Sequence, residues 1–225
     1  MSFSADTLDF LAENRIVNSR DWYQENKPRY KASIEAPMLA LAEALAPTFE
    51  MIDPLMTLAP KRTISRIWKD MRYSKDPYLF RDVMWLVFRR GKGMEYPAFF
   101  FEFSPRGYRY GVGYYNAPGE VMGRIRHWIL SDDKRYLEAR AAVEALPEFD
   151  LEGDRYKRSR HPDAPADKQD WLDRKNLVAI CRIDSLDGLF AENLHETLAP
   201  AFLKLAPLYR LFLAAHLESL PKEDA

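Results

Sequence analysis

Two neighbouring segments in the middle of the sequence, Ala98–Phe103 and Tyr108–Tyr115, place aromatic residues at alternate positions. A period of two puts successive side chains on opposite faces of a β-strand. The intervening SPRG at 104–107 contains a proline and a glycine, as hairpin connections often do. Val83–Phe88 and Thr63–Trp68 are two more short segments rich in β-branched or aromatic residues. Together they predict an antiparallel meander, because loops this short cannot contain crossover helices.

Helical periodicity is found on both sides of these predicted strands. The predicted helices are residues 5–14, a stretch from Asp21 through Met38–Leu45, a stretch beginning near Pro118, a stretch capped by Ser131, and residues 187–220. Residues 150–170 are expected to form a long loop, and NLVAICRID at 176–184 a further strand. Helices that flank antiparallel strands favour the α+β class. Because no flexible linker is found, we expect a single α+β domain over residues 1–225, with its core at about residues 5–220.

The composition argues against several classes of protein. The chain of 225 residues has a formal net charge of −1, so nucleic-acid binding would need a local basic patch. Cys181 is the only cysteine, and its apolar surroundings predict a small buried side chain. No run approaches the roughly 20 apolar residues of a membrane helix. The first residues are acidic where a signal peptide is basic. We therefore expect a cytoplasmic protein without a membrane segment.

Standard catalytic and cofactor motifs are absent from the sequence. GVG at 111–113 lacks the third glycine of a dinucleotide loop, and glycines within a strand are more typical of a close backbone approach. HETLA at 195–199 has Ala199 where a zinc-protease motif has its second histidine. The four histidines, at positions 127, 161, 195 and 216, are too scattered to suggest a ligand set. We therefore predict no metal site and no cofactor.

Basic residues are concentrated in one part of the chain. Between Lys61 and Lys92, ten basic residues stand against three acidic ones, and the centre of this window is RIWKDMRYSKDPY at 66–78. If the run begins as a strand, each of its faces mixes apolar and charged side chains. One face must lie on the core, so some of these charges are expected to be partly buried. A buried charge needs a partner or a ligand, because leaving it unpaired is strongly destabilising.

The first interpretation is a site for a small anionic or phosphate-bearing ligand, because clustered guanidinium and ammonium groups suit phosphate and carboxylate. Asp70 would serve there as an acid, a base or an orienting group, so the cluster is also compatible with an enzyme. The candidate ligand-binding residues are Arg66, Lys69, Asp70, Arg72, Lys75, Lys27, Tyr30, Lys157 and His161. The last two belong to a second basic segment, RYKRSRHP at 155–162.

Two other interpretations stay open. In a non-catalytic structural or protein-interaction domain, Arg66, Asp70, Arg72 and Asp76 would form an internal ion-pair brace. In a nucleic-acid-binding protein, Trp68 and the aromatic residues after it would stack on a single strand. The net charge of −1 argues against this last interpretation. The sequence does not indicate an oligomeric partner.

The segment RIWKDMRYSKDPY also resembles the strongest motif of a large bacterial and fungal family, domain-of-unknown-function family 2461. That motif has the form R-x-x-[RK]-D-x-R-[FY]-S-K-D. Further similarities are the segment with Trp22, Asn26, Lys27, Tyr30 and Pro37, then FFFEFSP with GVGYY, Arg124, and KRSRHP with WLDRK. The resemblance covers roughly Leu8 to Leu220, and the chain departs from the pattern after Asp76, where PYLFRD follows directly. It implies a single-domain α+β fold and implies no activity.

Overall fold

The computed structural model describes residues 2–72, 76–91 and 96–220. Its contacts divide the chain into two compact units. The N-terminal unit comprises Met1–Phe88, Phe100–Tyr110 and Arg182–Pro200, and the C-terminal unit comprises Arg89–Phe99, Gly111–Cys181 and Ala201–Ala225. The expectation that residues 1–225 form one domain stays a prediction.

The described strands form one five-stranded antiparallel sheet. The strands are β1 (Met84–Phe88), β2 (Ala98–Ser104), β3 (Gly107–Gly113), β4 (Asp150–Glu152) and β5 (Val178–Ile183). Their order in the sheet is β1-β2-β3-β5-β4. The first three strands are therefore three of the four strands of the predicted meander, and two residues separate β2 from β3, as expected for the hairpin. In the last pair, Leu151 lies opposite Ala179. The α+β class is confirmed.

Helices precede and follow the first three strands. They are α1 (Ala5–Val17), α2 (Arg20–Glu25), α3 (Lys27–Tyr30), α4 (Ala36–Ile52), α5 (Pro60–Thr63), α6 (Gly119–Leu130), α7 (Lys134–Glu144), α8 (Ala166–Leu172), α9 (Asp187–Phe190), α10 (Leu194–Lys204) and α11 (Ala206–Ser219). A π-helical turn, Lys31–Glu35, joins α3 to α4. Within the described ranges no single helix is long and apolar enough to cross a membrane, although α10 and α11 pass that test as a bent pair.

Large aromatic side chains fill the interior of both units. In the N-terminal unit, the fully buried rings include those of Phe10, Phe49, Phe80, Phe101 and Phe103. In the C-terminal unit, they include those of Phe99, Tyr136, Phe202, Tyr209 and Phe212. The rings of Phe99 and Phe202 meet edge to face at 5.5 Å between centroids. The inward-facing aromatic residues of β2, which revealed this strand in the sequence, thus belong to the core. Cys181 is buried, as expected.

The predicted strand Thr63–Trp68 is wrong as a regular strand. Its first residue ends α5, and the remainder makes only two isolated antiparallel bridges, Ile64 with Leu86 and Trp68 with Phe80. The two bridges are four positions apart on the segment 64–68 and six positions apart on the partner segment 80–86. The longer segment must therefore bulge, and a bulge interrupts the ladder of hydrogen bonds.

Two further expectations about local structure need correction. Ser131 does not cap α7, because its hydroxyl donates to the carbonyl of His127 at 3.0 Å and so belongs to the end of α6. Asp133 takes the capping position and accepts the backbone N–H of Arg135 at 2.9 Å. Residues 150–170 are not a continuous loop, because β4 and the start of α8 fall within them.

Gly111 lies where β3 passes very close to β5, as the sequence predicted for a glycine within a strand. A Cβ atom on Gly111 would lie 1.9 Å from the carbonyl oxygen of Ala179, which is far inside van der Waals contact. Gly123, in α6, has nothing within 4 Å of the corresponding position. The first glycine is therefore required by packing, and the second is not.

Candidate functional site

The segment 64–69, which contains the first four residues of the RIWKDMRYSKDPY motif, runs extended beside residues 79–86. The N–H of Ser65 donates to the carbonyl of Trp85 at 2.9 Å, and the N–H of Lys69 donates to the carbonyl of Leu79 at 2.9 Å. Ser65 and Ile67 are buried, whereas Arg66 is exposed. The alternation of faces predicted from the sequence therefore exists without a regular strand, and it turns Arg66 towards solvent.

Lys69 takes part in a group of ion pairs with Asp76 and Arg15, the brace, and its side chain is 13% exposed. Its ammonium contacts the carboxylate of Asp76, which also accepts a hydrogen bond from the Arg15 guanidinium at 3.0 Å. The backbone N–H of Tyr78 donates to the same carboxylate at 3.0 Å. These hydrogen bonds, led by that of Lys69, hold the pKa of Asp76 well below its ordinary value. Arg15 also lies 3.4 Å from Asp82. The brace thus fastens the motif to α1.

Asp70 and Arg72 form a local pair at the surface. The guanidinium of Arg72 donates to both carboxylate oxygens of Asp70, at 2.9 and 2.7 Å, and its backbone N–H donates to the same group at 3.2 Å. Hydrogen bonding by Arg72 lowers the pKa of Asp70 to about 2. The Arg72 side chain is 77% exposed. Neither residue lines the cleft described next.

A cleft of about 340 Å³ in the N-terminal unit brings together three of the predicted residues. Arg66 lines it from the motif, and Lys27 and Tyr30 line it from α3. Its described lining residues are Tyr23, Lys27, Tyr30, Lys31, Glu35, Lys61, Ile64, Ser65, Arg66, Ile67 and Trp68. Three charged lining residues were not predicted from the sequence. Lys31 and Glu35 belong to the π-helical turn, and Lys61 belongs to α5.

Positive charge dominates the cleft. Lys27, Lys31, Lys61 and Arg66 line it, and none of their side chains has a hydrogen bond or ion pair within the described ranges. All four are exposed. Glu35 is the one carboxylate among the described lining residues. The described lining residues therefore carry a net charge of +3, in a protein whose net charge is −1.

The π-helical turn places two charged side chains on the cleft. The N–H of Ala36 donates to the carbonyl of Lys31, five residues earlier. The hydroxyl of Ser33 donates to the carbonyl of Arg29 at 2.8 Å, and its own carbonyl accepts the buried hydroxyl of Thr7. The middle of the turn is therefore anchored inward, while Lys31 and Glu35 at its ends face the cleft. Single π turns within helices occur frequently at functional sites.

Aromatic rings form the wall of the cleft. The ring of Tyr23 meets that of Trp68 edge to face at 5.1 Å and that of Tyr30 at 5.7 Å. Phe80 supports Trp68 from within, at 4.4 Å. Burial, together with the charge of Glu35, raises the pKa of Tyr23 and of Tyr30 above the ordinary value. A tyrosine hydroxyl is protonated at neutral pH even at its ordinary pKa, so both hydroxyls can donate hydrogen bonds.

Lys157 and His161 are not among the described residues that line the cleft. Lys157 is exposed and His161 is half-buried, in the stretch of the C-terminal unit between β4 and α8. In that segment the guanidinium of Arg160 lies over the ring of Tyr156 at 4.0 Å. Lys75 lies outside the described residues. Among the residues that are described, no group of three or more histidine, cysteine, aspartate or glutamate residues could hold a metal ion.

The comparisons with known proteins agree with the resemblance noted in the sequence. The family model described as "Conserved hypothetical protein (DUF2461)" matches residues 6–211. A search of curated proteins found no match. The matched range contains the RIWKDMRYSKDPY motif and all the described residues that line the cleft. The chain therefore belongs to domain-of-unknown-function family 2461.

Proposed function

We propose that the protein binds a small anionic, phosphate-bearing ligand in the cleft lined by Lys27, Lys31, Lys61 and Arg66. One observation carries the proposal: four cations without a partner in the described chain share one cleft with a single carboxylate. Like charges in one cleft repel each other, and an anion between them would relieve this repulsion. A guanidinium and several ammonium groups together suit phosphate, because the planar guanidinium can donate two parallel hydrogen bonds to it and the lysines add positive charge.

The size and lining of the cleft support a small ligand. Its volume of about 340 Å³ lies near the lower end of the range for ligand pockets. Its lining combines buried side chains, among them Tyr30 and Ile67, with the four exposed cations. Apolar and aromatic side chains with a few polar groups are typical of ligand sites. A cytoplasmic location stays a prediction from the sequence.

The second candidate function, a non-catalytic interaction domain with an ion-pair brace, is favoured by other residues of the same motif. Lys69 and Asp76 pair with each other, and Asp76 also pairs with Arg15 of α1. These groups match the predicted brace in kind, although Arg66 has no part in it. We infer that the motif is divided between two tasks: Lys69 and Asp76 stabilise its conformation, and Arg66 faces the cleft.

Calorimetric titration with inorganic phosphate at low ionic strength tests the proposal. Losing one charge-assisted hydrogen bond, about 1.5–3 kcal/mol, should weaken binding by about 10- to 150-fold in Arg66→Ala. Arg72→Ala is the matched control, because it removes the same charge from an arginine paired at the surface. The control should bind phosphate like the unmodified protein. Equal weakening in both variants would show that the cleft does not provide the site.

A further inference from the structure

The cleft has an apolar part beside its cationic part. Ile67 and Trp68 of the motif line it, together with Ile64, which lies two residues before the motif. Trp68 is half-buried and is held in place by Tyr23 and Phe80, at 5.1 and 4.4 Å. An anion alone would leave this apolar surface unused. A ligand that fills the cleft must therefore combine a flat or apolar group with its negative charge.

The charge of the cleft also indicates how many anionic groups the ligand carries. Among the residues that the structure describes, four cations and one carboxylate line the cleft, a net charge of +3. A single phosphate ester carries about −1.5 to −2 at neutral pH, so one such group leaves part of this charge uncompensated. Two linked phosphoryl groups carry roughly −3, which matches the cleft. Electrostatics therefore favours a diphosphate over a monophosphate.

We propose that the ligand is a nucleoside diphosphate, with its base against Trp68 and its diphosphate between Arg66 and the lysines. This inference rests on the proposed function, because it needs the anion site. Stacking on an aromatic side chain accepts any base, since every base has a π face. Tyr23 and Tyr30 also line the cleft, and their hydroxyls are donors suited to the oxygen atoms of such a ligand. The small volume and the net charge of −1 favour a free nucleotide over a nucleic-acid strand.

Calorimetry with adenosine diphosphate and with pyrophosphate tests two claims separately: that the cleft binds an anion, and that the ligand is a nucleoside diphosphate. The nucleotide should bind the unmodified protein about 5- to 150-fold more tightly than pyrophosphate, the contribution expected of one stacked base. Trp68→Leu should remove this difference, and Trp68→Phe should keep part of it. Arg66→Ala should weaken both ligands. The comparison of ligands on the unmodified protein does not depend on how well any variant folds.

Three other outcomes of these titrations would each contradict a different claim. If pyrophosphate binds and loses affinity in Arg66→Ala, but the nucleotide binds no more tightly, the nucleoside assignment is wrong and the anion site stands. If neither ligand binds at millimolar concentration, the proposed function itself is wrong. If a 5′-phosphorylated oligonucleotide binds more than tenfold more tightly than the nucleotide, the small-molecule assignment is overturned in favour of a strand.

Discussion

Replacing Arg15 with alanine tests whether the brace stabilises the protein. The Arg15 guanidinium lies 3.0 Å from Asp76 and 3.4 Å from Asp82, and it lies over the ring of Tyr78 at 4.3 Å. Only 24% of its side chain is exposed. Arg66, by contrast, has no partner within the described ranges, and Arg72 is exposed. We therefore expect these three arginines of the N-terminal unit to contribute unequally to its stability, with Arg15 contributing most.

The expected loss of stability in Arg15→Ala can be estimated from these contacts. A charge-assisted hydrogen bond contributes about 1.5–3 kcal/mol and a cation–π contact about 0.5–1 kcal/mol. Solvent screening reduces both at a partly exposed site, and Asp76 keeps Lys69 as a partner. We therefore expect Arg15→Ala to lower the free energy of unfolding by about 1–3 kcal/mol. In a chain of this length that corresponds to a fall of roughly 2–12 °C in Tm.

Thermal unfolding followed by circular dichroism, on Arg15→Ala, Arg66→Ala and Arg72→Ala side by side, measures this difference. The first variant should melt earlier, and the other two should melt with the unmodified protein. A fall in Tm for Arg66→Ala as large as that for Arg15→Ala would refute the reasoning, because it would make Arg66 part of the brace and not a free side chain of the cleft.

Three further predictions concern the sheet, the acid response and the cleft. Gly111→Ala should prevent stable folding or lower Tm sharply, because its Cβ would overlap the carbonyl of Ala179, whereas Gly123→Ala should raise stability by roughly 0.5–1 kcal/mol in thermal melts. Asp76 has a lowered pKa, so its stabilisation is present above about pH 4 and is lost as the pH falls through the folded value. The Tm deficit of Asp76→Asn at neutral pH should therefore shrink on acidification, and a constant deficit would contradict that assignment. Glu35→Gln should bind phosphate several-fold more tightly in calorimetry, because it removes the negative charge from the cleft; unchanged or weaker binding would place the anion elsewhere.

Much of the fold could be predicted because its signals are local. Alternating aromatic residues revealed β2 and β3. In β2 every second residue is buried, whereas β3 is buried on both faces and was revealed by the alternation of its aromatic residues alone. The segment after Thr63 shows the limit of this reasoning. It alternates like a strand, but a regular ladder also needs a partner in register, and the bulge before Leu86 breaks that register. Such a bulge depends on the partner segment and leaves no mark in the motif itself.

The candidate site was predictable only in part, for a similar reason. Arg66, Lys27 and Tyr30 were predicted together, and all three line one cleft. The members of the brace were not predictable from the motif alone, because Asp76 pairs with Arg15, which lies 61 positions away in the sequence. Lys31 and Glu35 were missed because the π turn changes which side chains share a face, and KASIE carries no sequence signal for such a turn.

The most direct test of the anion site is a crystal structure grown with selenate, an analogue of phosphate whose anomalous scattering locates it without ambiguity. The cleft should show a peak within hydrogen-bonding distance of Arg66 and of at least one of Lys27, Lys31 and Lys61, and crystals of Arg66→Ala should lose it. A peak only at the basic segment 155–162, or a cleft peak that persists in Arg66→Ala, would contradict the account.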